Sequence, residues 1–255
     1  MRRWLEHEDE VIKEHIFGLR LAFSMMTVLP FRMHEFRAGV NGVAAAYYPV
    51  VGLVLGGIVY ALYALLHGFL PETFLRVALF ALFTALYGAL HLDGFVDTVD
   101  GLFAPASLAL EVMKEPTIGA MGAIYGFLFL AIKLAAFVSI EEFWLFALIP
   151  MLSRFGGTFA MYAFPYVRPS GMGYAAKMEL TAPLFVYSAL LVCCVIVVVN
   201  VWLFALFAVA LLKAAAVSSW LSRRFGGLSG DMYGFVIESV ELTLLCAVVI
   251  WESVR

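Results

Sequence analysis

The run PLFVYSALLVCCVIVVVNVWLFALFAVALLKAAAV, Pro183 to Val217, decides the fold class. A helix needs about 20 mostly apolar residues to cross a bilayer. This run is too long for one crossing and is divided at Asn200, so it reads as two spans, 183–199 and 201–218, in a tight helical hairpin. Outward from it, five more stretches have the same character: roughly 42–66, 75–92, 119–139, 143–164 and 234–251. The chain is 64% hydrophobic and 14% charged, whereas soluble domains hold about 45–50% apolar and about 25% charged residues. A water-soluble fold of 255 residues has no use for so much apolar surface. The expected architecture is all-α: a polytopic integral membrane bundle of seven transmembrane helices, one membrane domain over residues 1–255. Residues 16–30 make an eighth helix if they span. Broken by Arg20 and closed by Pro30, they suit an interfacial amphipathic helix as well.

Orientation follows from short loops, because basic residues collect on the cytoplasmic side. With seven spans and the first starting inside, Arg32, Arg37, Lys114, Arg168, Lys177, Arg223 and Arg224 fall on one side. His67, Glu72, Arg76, Glu141, Glu142 and Arg255 fall on the other. The first side is therefore expected in the cytoplasm, with the chain in the plasma membrane. The N-terminus, MRRWLEHEDEVIKEH, is too acidic for a signal or transit peptide, so no cleaved segment is expected. Cys193, Cys194 and Cys246 lie in apolar runs without CxxC spacing and read as small hydrophobes. The net charge of -3 says nothing about partners. The lipid bilayer is an expected partner, nucleic acid is not, and a homo-oligomer stays open.

Three polar stretches fall on the cytoplasmic side: HLDGFVDTVDG (91–101), YAFPYVRPSGMG (162–173) and RRFGGLSGD (223–231). Polar sequence gathered on one face of a membrane protein reads as one site built from several loops. At about 100° per residue, Asp97 is offset by ~40° from Asp93 and Asp100 by about -20°. The three share a narrow face if the preceding helix continues through Gly101. Their repulsion calls for a cation, and carboxylate oxygens are the hard donors that Mg²⁺ and Mn²⁺ prefer. Gly94 and Gly101 remove side-chain bulk and would let a phosphate approach. A solvated helix end and a transporter's ion pathway are the competing readings. His91 points nearly opposite the acids and suits a hydrogen-bonding role at the helix end.

Arg223 and Arg224, beside Gly226, Gly227 and Gly230, suit a phosphate or pyrophosphate, or serve as positive-inside anchors. Arg168, on a loop stiffened by two prolines, is an anion contact or a topological anchor. Asp231 returns to the same helical face at Glu238, and Glu241 follows three residues later. Both glutamates should face the bundle interior, Glu241 also reading as a buried partner for an arginine. Arg154 and Lys133, in otherwise apolar helices, should pair with acids or reach the site. Glu111, Lys114 and Glu115 read as a short surface helix ending before Pro116. Clustered acids, glycine loops and arginines at a membrane cavity point to metal-assisted phosphoryl transfer. The residues alone do not name the acceptor.

HLDGFVDTVDGL resembles the signature of the adenosylcobinamide-GDP ribazoletransferase (cobalamin synthase) family, which typically reads HLDGLADTADGL. VMKEPTIGAMG is similar to that family's MRDSRIGAFG-like segment, AIKLAAF to its lysine-containing span, and LSRF…FPYVRPSGMG to its SRW…FPYARxxGLG stretch. RRFGGLSGDMYGFVIESVE resembles the RRxGGxTGDxxGAxxExxE ending, and TVLPFR and YYPVVGLVLGG the N-terminal features. The likeness runs in order from about residue 20 to 245. It departs at Lys114, Glu115 and Pro116, where a basic residue, Asp and Ser are frequent and Glu115 is the natural substitute. Ser229 stands for a frequent threonine.

The resemblance implies an Mg²⁺-dependent enzyme, with Mn²⁺ as substitute, that joins adenosylcobinamide-GDP to α-ribazole or its 5′-phosphate and releases GMP. It implies Asp93, Asp97, Asp100 and Asp231 as metal ligands, with Glu238 completing the catalytic acids. Gly94, Gly101, Arg154, Arg168, Arg223, Arg224, Gly227 and Gly230 would meet substrate. The DGxxDTxDG pattern is also partly similar to the CDP-alcohol phosphotransferases, the alternative enzyme. An ion-coupled transporter is the alternative outside enzymology.

Overall fold

Long apolar runs separated by Gly, Pro and Asn leave the backbone no partner in lipid except itself, so each run closes its own hydrogen bonds as a helix. The computed structural model describes residues 2–31, 33 and 39–255, with side chains from Glu10 onward, and among these there is no β-strand. The helices are α1 (Arg2–Met26), α2 (Val40–Leu66), α3 (Glu72–Leu86), α4 (Leu90–Phe103), α5 (Ala109–Val112) and α6 (Ala120–Ser139). A 3₁₀ turn, Phe143–Ala147, leads into α7 (Ile149–Ala163), followed by α8 (Met172–Glu179), α9 (Ala182–Val199), α10 (Leu203–Phe225) and α11 (Gly230–Ser253).

By length and composition six segments among the described residues can cross a membrane: α2, α6, Phe143–Ala163, α9, α10 and α11. A seventh crossing exists if α3 and α4 count as one bent span. The doubtful 16–30 segment lies largely in α1, which is not among the six and packs Leu21, Ala22, Phe23 and Met26 into the core beside α2. Arg32 and Arg37, used for orientation, lie outside the described residues. The hairpin turns where expected: Asn200 Oδ1 accepts from Trp202 N at 3.0 Å.

The continuous span expected at 75–92 is broken. α3 stops at Leu86, Gly88 and Ala89 take positive φ of 63° and 53°, and α4 leaves at 81° to α3. A left-handed alanine costs roughly 1 kcal/mol. The corner is held by Val28 N donating to Leu86 O at 2.9 Å and by the Tyr87 ring packed on Phe83. The three aspartates therefore ride on a helix that starts afresh at Leu90.

α7 is the axis, enclosed by α2, α9, α10 and α11, while α4 packs on α11 and α6. α8 was not foreseen. Its Glu179 carboxylate accepts from Asn41 N and Nδ2 at 2.7 and 2.9 Å, closing the start of α2. The groups expected on the far side gather at one end. Glu72 pairs with Arg76, Glu252 accepts from the Glu141 and Glu142 amides at 2.9 and 2.8 Å, and Arg255 meets Glu142 at 2.7 Å.

Candidate active site

At the other end, α10 closes at Gly226, whose φ of 80° suits the glycine there. The turn to α11 is stitched to the proline loop: Leu228 N donates to Pro165 O at 2.8 Å, and Val167 N to Leu228 O at 2.9 Å. A Cβ on Gly227 would lie 3.0 Å from Pro165 O, so this glycine serves the backbone contact. Ser229 then caps α11, its Oγ accepting from Met232 N at 3.3 Å. The stitch delivers Arg168 to Asp231, Nη1 to Oδ2 at 3.3 Å, while Nη2 donates to Leu110 O at 2.9 Å.

α4 crosses α11 through two glycines. A Cβ on Gly94 would lie 2.6 Å from Asp231 O, and one on Gly234 would lie 2.9 Å from His91 O. That contact sets Asp93 and Asp97 alongside Asp231. Gly101 is filled similarly, its absent Cβ 2.1 Å from Met113 Cε. The room Gly94 and Gly101 were expected to leave for phosphate is therefore occupied by protein.

Asp93 is exposed and Asp97 half-buried, and both line a cavity of about 230 Å³ whose opposite wall is Met113, Lys114, Glu115, Pro116, Thr117 and Ile118. Asp100, one turn on, faces elsewhere. Its carboxylate accepts from Gly119 N at 2.8 Å and Gly122 N at 2.7 Å, capping α6. Among the described residues no three His, Cys, Asp or Glu side chains are arranged to hold a metal ion. Asp100 is engaged by α6, and Asp231 by Arg168 and by Ser229 Oγ, which donates at 3.3 Å.

α4 lies outside the six crossing segments, and there burial, then the charges of Asp93, Asp231 and Asp100, push Asp97 up to about 6, against the pull of Arg168. Burial is the larger cause; the part due to the three neighbouring carboxylates is a negative field which a cation would relieve. Mg²⁺ is commonly held by one or two carboxylates, with waters and substrate phosphates completing the shell. The Asp93–Asp97 pair facing a cavity fits that donor set without a third acid.

Other expected site residues are placed elsewhere. Glu238 lies two turns along α11 from Asp231, roughly 10 Å, and is fully buried against Lys133 Nζ at 2.5 Å. Arg154 is equally buried, paired with Glu241 beside Ser153. Neither Glu238 nor Arg154 lines the cavity. The open choice for Arg154, Lys133 and Glu241 thus resolves as mutual pairing. His91 is buried with neither ring nitrogen bonded among the described residues, and it stacks on Tyr87 at 5.6 Å. Arg224 Nη2 donates to Leu102 O at 2.9 Å, tying α10 to the end of α4, while Arg223 and Gly230 are exposed nearby. Thr117 in the cavity wall was not foreseen; its place just ahead of Gly119 was the available signal.

Fold and site define a polytopic helical membrane protein whose cavity, lined by Asp93, Asp97 and Lys114, opens at one end of the bundle. The chain belongs to the cobalamin-5-phosphate synthase family, whose model matches residues 18–249. It is similar to proteins named adenosylcobinamide-GDP ribazoletransferase. That of Desulforamulus reducens is 31% identical over 93% of this chain and 98% of its own length. That of Deinococcus radiodurans is 34% identical over 91% and 86%, and that of Thermosynechococcus vestitus 35% over 80% and 85%. No solved structure matches.

Proposed function

We propose that this chain is itself an adenosylcobinamide-GDP ribazoletransferase, joining adenosylcobinamide-GDP to α-ribazole or its 5′-phosphate. The ribazole hydroxyl attacks the phosphorus carried by cobinamide. The bond to the GMP phosphate breaks, a phosphodiester forms, GMP leaves, and the hydroxyl proton passes to an ionised carboxylate of the site acting as base. The observation that carries the reading is the Asp93–Asp97 pair facing a cavity, with Asp97 in the field of the Arg168–Asp231 contact.

Asp93 and Asp97 are the residues that would hold Mg²⁺, which neutralises pyrophosphate charge and orients the reacting groups when bound. Asp231 holds the Arg168 guanidinium within the field of Asp97, where it can face the phosphate of the departing GMP. Lys114, in the cavity wall, and Arg223, exposed at the end of α10, are further cations at that end of the bundle. Asp100 supports the site by fixing the start of α6 behind the cavity wall. Lys114, Arg168, Lys177, Arg223 and Arg224 all belong to this end of the chain's loops, which supports a cytoplasmic active site in the plasma membrane.

The test is nucleotide release by purified protein given adenosylcobinamide-GDP, Mg²⁺ and each acceptor in turn. GMP and a cobalamin product are expected. Release of CMP from a CDP-activated alcohol would instead favour the CDP-alcohol phosphotransferase reading. Ion-driven substrate accumulation in liposomes without a nucleotide product would favour a transporter.

A further inference from the structure

The most deeply buried charges lie below the cavity. Lys133 on α6, Arg154 on α7, and Glu238 and Glu241 on α11 are each at most 1% exposed. Lys133 Nζ reaches Glu238 Oε2 at 2.5 Å and Glu241 Oε1 at 2.8 Å, and Arg154 Nη1 takes Glu241 Oε2. Ser153 Oγ donates to the same Glu241 oxygen at 2.9 Å. Two cations and two anions make the group neutral.

The network continues toward α4. Phe83 and Tyr87 turn ring faces to both cations, at 5.9 and 5.6 Å from Lys133 Nζ and 5.5 Å each from Arg154 Cζ. Tyr87 in turn stacks on His91 in the first turn of α4. Arg154 Nε and Nη2, Glu238 Oε1, Tyr87 Oη and both His91 nitrogens have further hydrogen-bonding capacity that no described residue fills.

Net stability is a weak reason for such a group. Desolvating buried ions offsets most of their attraction, and balanced apolar replacements are often neutral or stabilising. Placement is a better reason. The network joins α6, α7 and α11 to the α3–α4 corner, and three of these helices carry the site: α4 holds Asp93 and Asp97, α6 receives Asp100, and α11 holds Asp231 in its first turn. We propose that Lys133, Arg154, Glu238 and Glu241 are positioning residues that fix the register of α6 and α11 on α4. They thereby set Asp231 against Asp93 and Asp97. The activity readout of the test below rests on the proposed transferase function, and the Mn²⁺ readout on the proposed metal ligands.

The decisive variant is K133M/E238M, which removes one cation and one anion and leaves the Arg154–Glu241 pair intact. It should fold, with a thermal midpoint close to wild type. Its kcat for GMP release should fall by about 10- to 100-fold, the range a displacement near 1 Å can cause. Mn²⁺ binding to the substrate-free protein, read by electron paramagnetic resonance, should weaken about 10-fold, as supporting residues of a metal site typically show. The reference is E72Q/R76M at the opposite end of the bundle, expected to keep wild-type kcat and Mn²⁺ affinity. A folded K133M/E238M protein with both quantities within about twofold of wild type overturns the proposal. So does failure of that variant to fold, which would assign the network to stability. If the wild type releases no GMP, the transferase reading fails while the Mn²⁺ comparison still decides this one, and a wild type that binds no Mn²⁺ overturns it.

Discussion

Asp97 lies half-buried between Asp93 on its own helix and Asp231 on the next, and this neighbourhood raises its proton affinity to about 6. Protons and a metal then compete for one carboxylate, and the ligand form is the deprotonated one. Mn²⁺ affinity of the substrate-free protein should therefore drop as pH falls through about 6, and a flat titration from pH 7.5 to 5 would contradict the ligand assignment. Asp97→Asn should lower GMP release by about 100-fold or more, the scale on which preorganised electrostatic groups act. Unchanged turnover would remove Asp97 from the site. The residue types and spacing of Asp93 and Asp97 were readable in the sequence. That Asp100 caps α6 was not, because its partners are backbone amides 19 and 22 residues away with no side chain to signal them.

At the scale of elements, the α4–α11 crossing is the joint that brings Asp231 up to the acids of α4. Gly94→Ala would drive a methyl into Asp231 O, a backbone atom that cannot swing away. Such overpacking typically costs about 1–3 kcal/mol, so the variant should melt earlier and lose activity. Gly57→Ala, with nothing within 4 Å of the new methyl, should melt at or above the wild-type temperature. Asp100→Ala strips two amides at the start of α6 of their acceptor, a loss of about 1–2 kcal/mol by analogy with other caps. Hydrogen exchange should rise at residues 119–122, and Asp100→Asn, which keeps one oxygen, should show less. Element identity was legible wherever apolar residues dominated about 20 positions, as in α2, α6, α9 and α11. The α3–α4 break was not, since YGAL offers a single glycine and the corner depends on contacts with residue 28 and the Tyr87 ring.

Over the whole molecule, charge divides between the two ends of the bundle. A cysteine placed at Arg223, in a protein freed of Cys193, Cys194 and Cys246, should react with an impermeant maleimide only in opened cells. One placed at Glu72 should react in intact cells. The reverse pattern would turn the site to the outside and overturn the cytoplasmic assignment.

The sequence by itself determined the membrane class, the hairpin at Asn200, most of the crossing segments and the acids from which the site is drawn. These depend on sums over neighbouring residues, such as transfer free energy along about 20 positions or the angular period of a helix. Only the tertiary structure decided which acids face the cavity and which brace the bundle. Asp93 and Asp97 meet the cavity because residues 113–118 fold over that face of α4, whereas Glu238 on the same helix as Asp231 is sealed against Lys133. A carboxylate has the same chemistry in all these places. Its role is set by the charges and amides that other helices bring to it, and those distances are fixed only by packing.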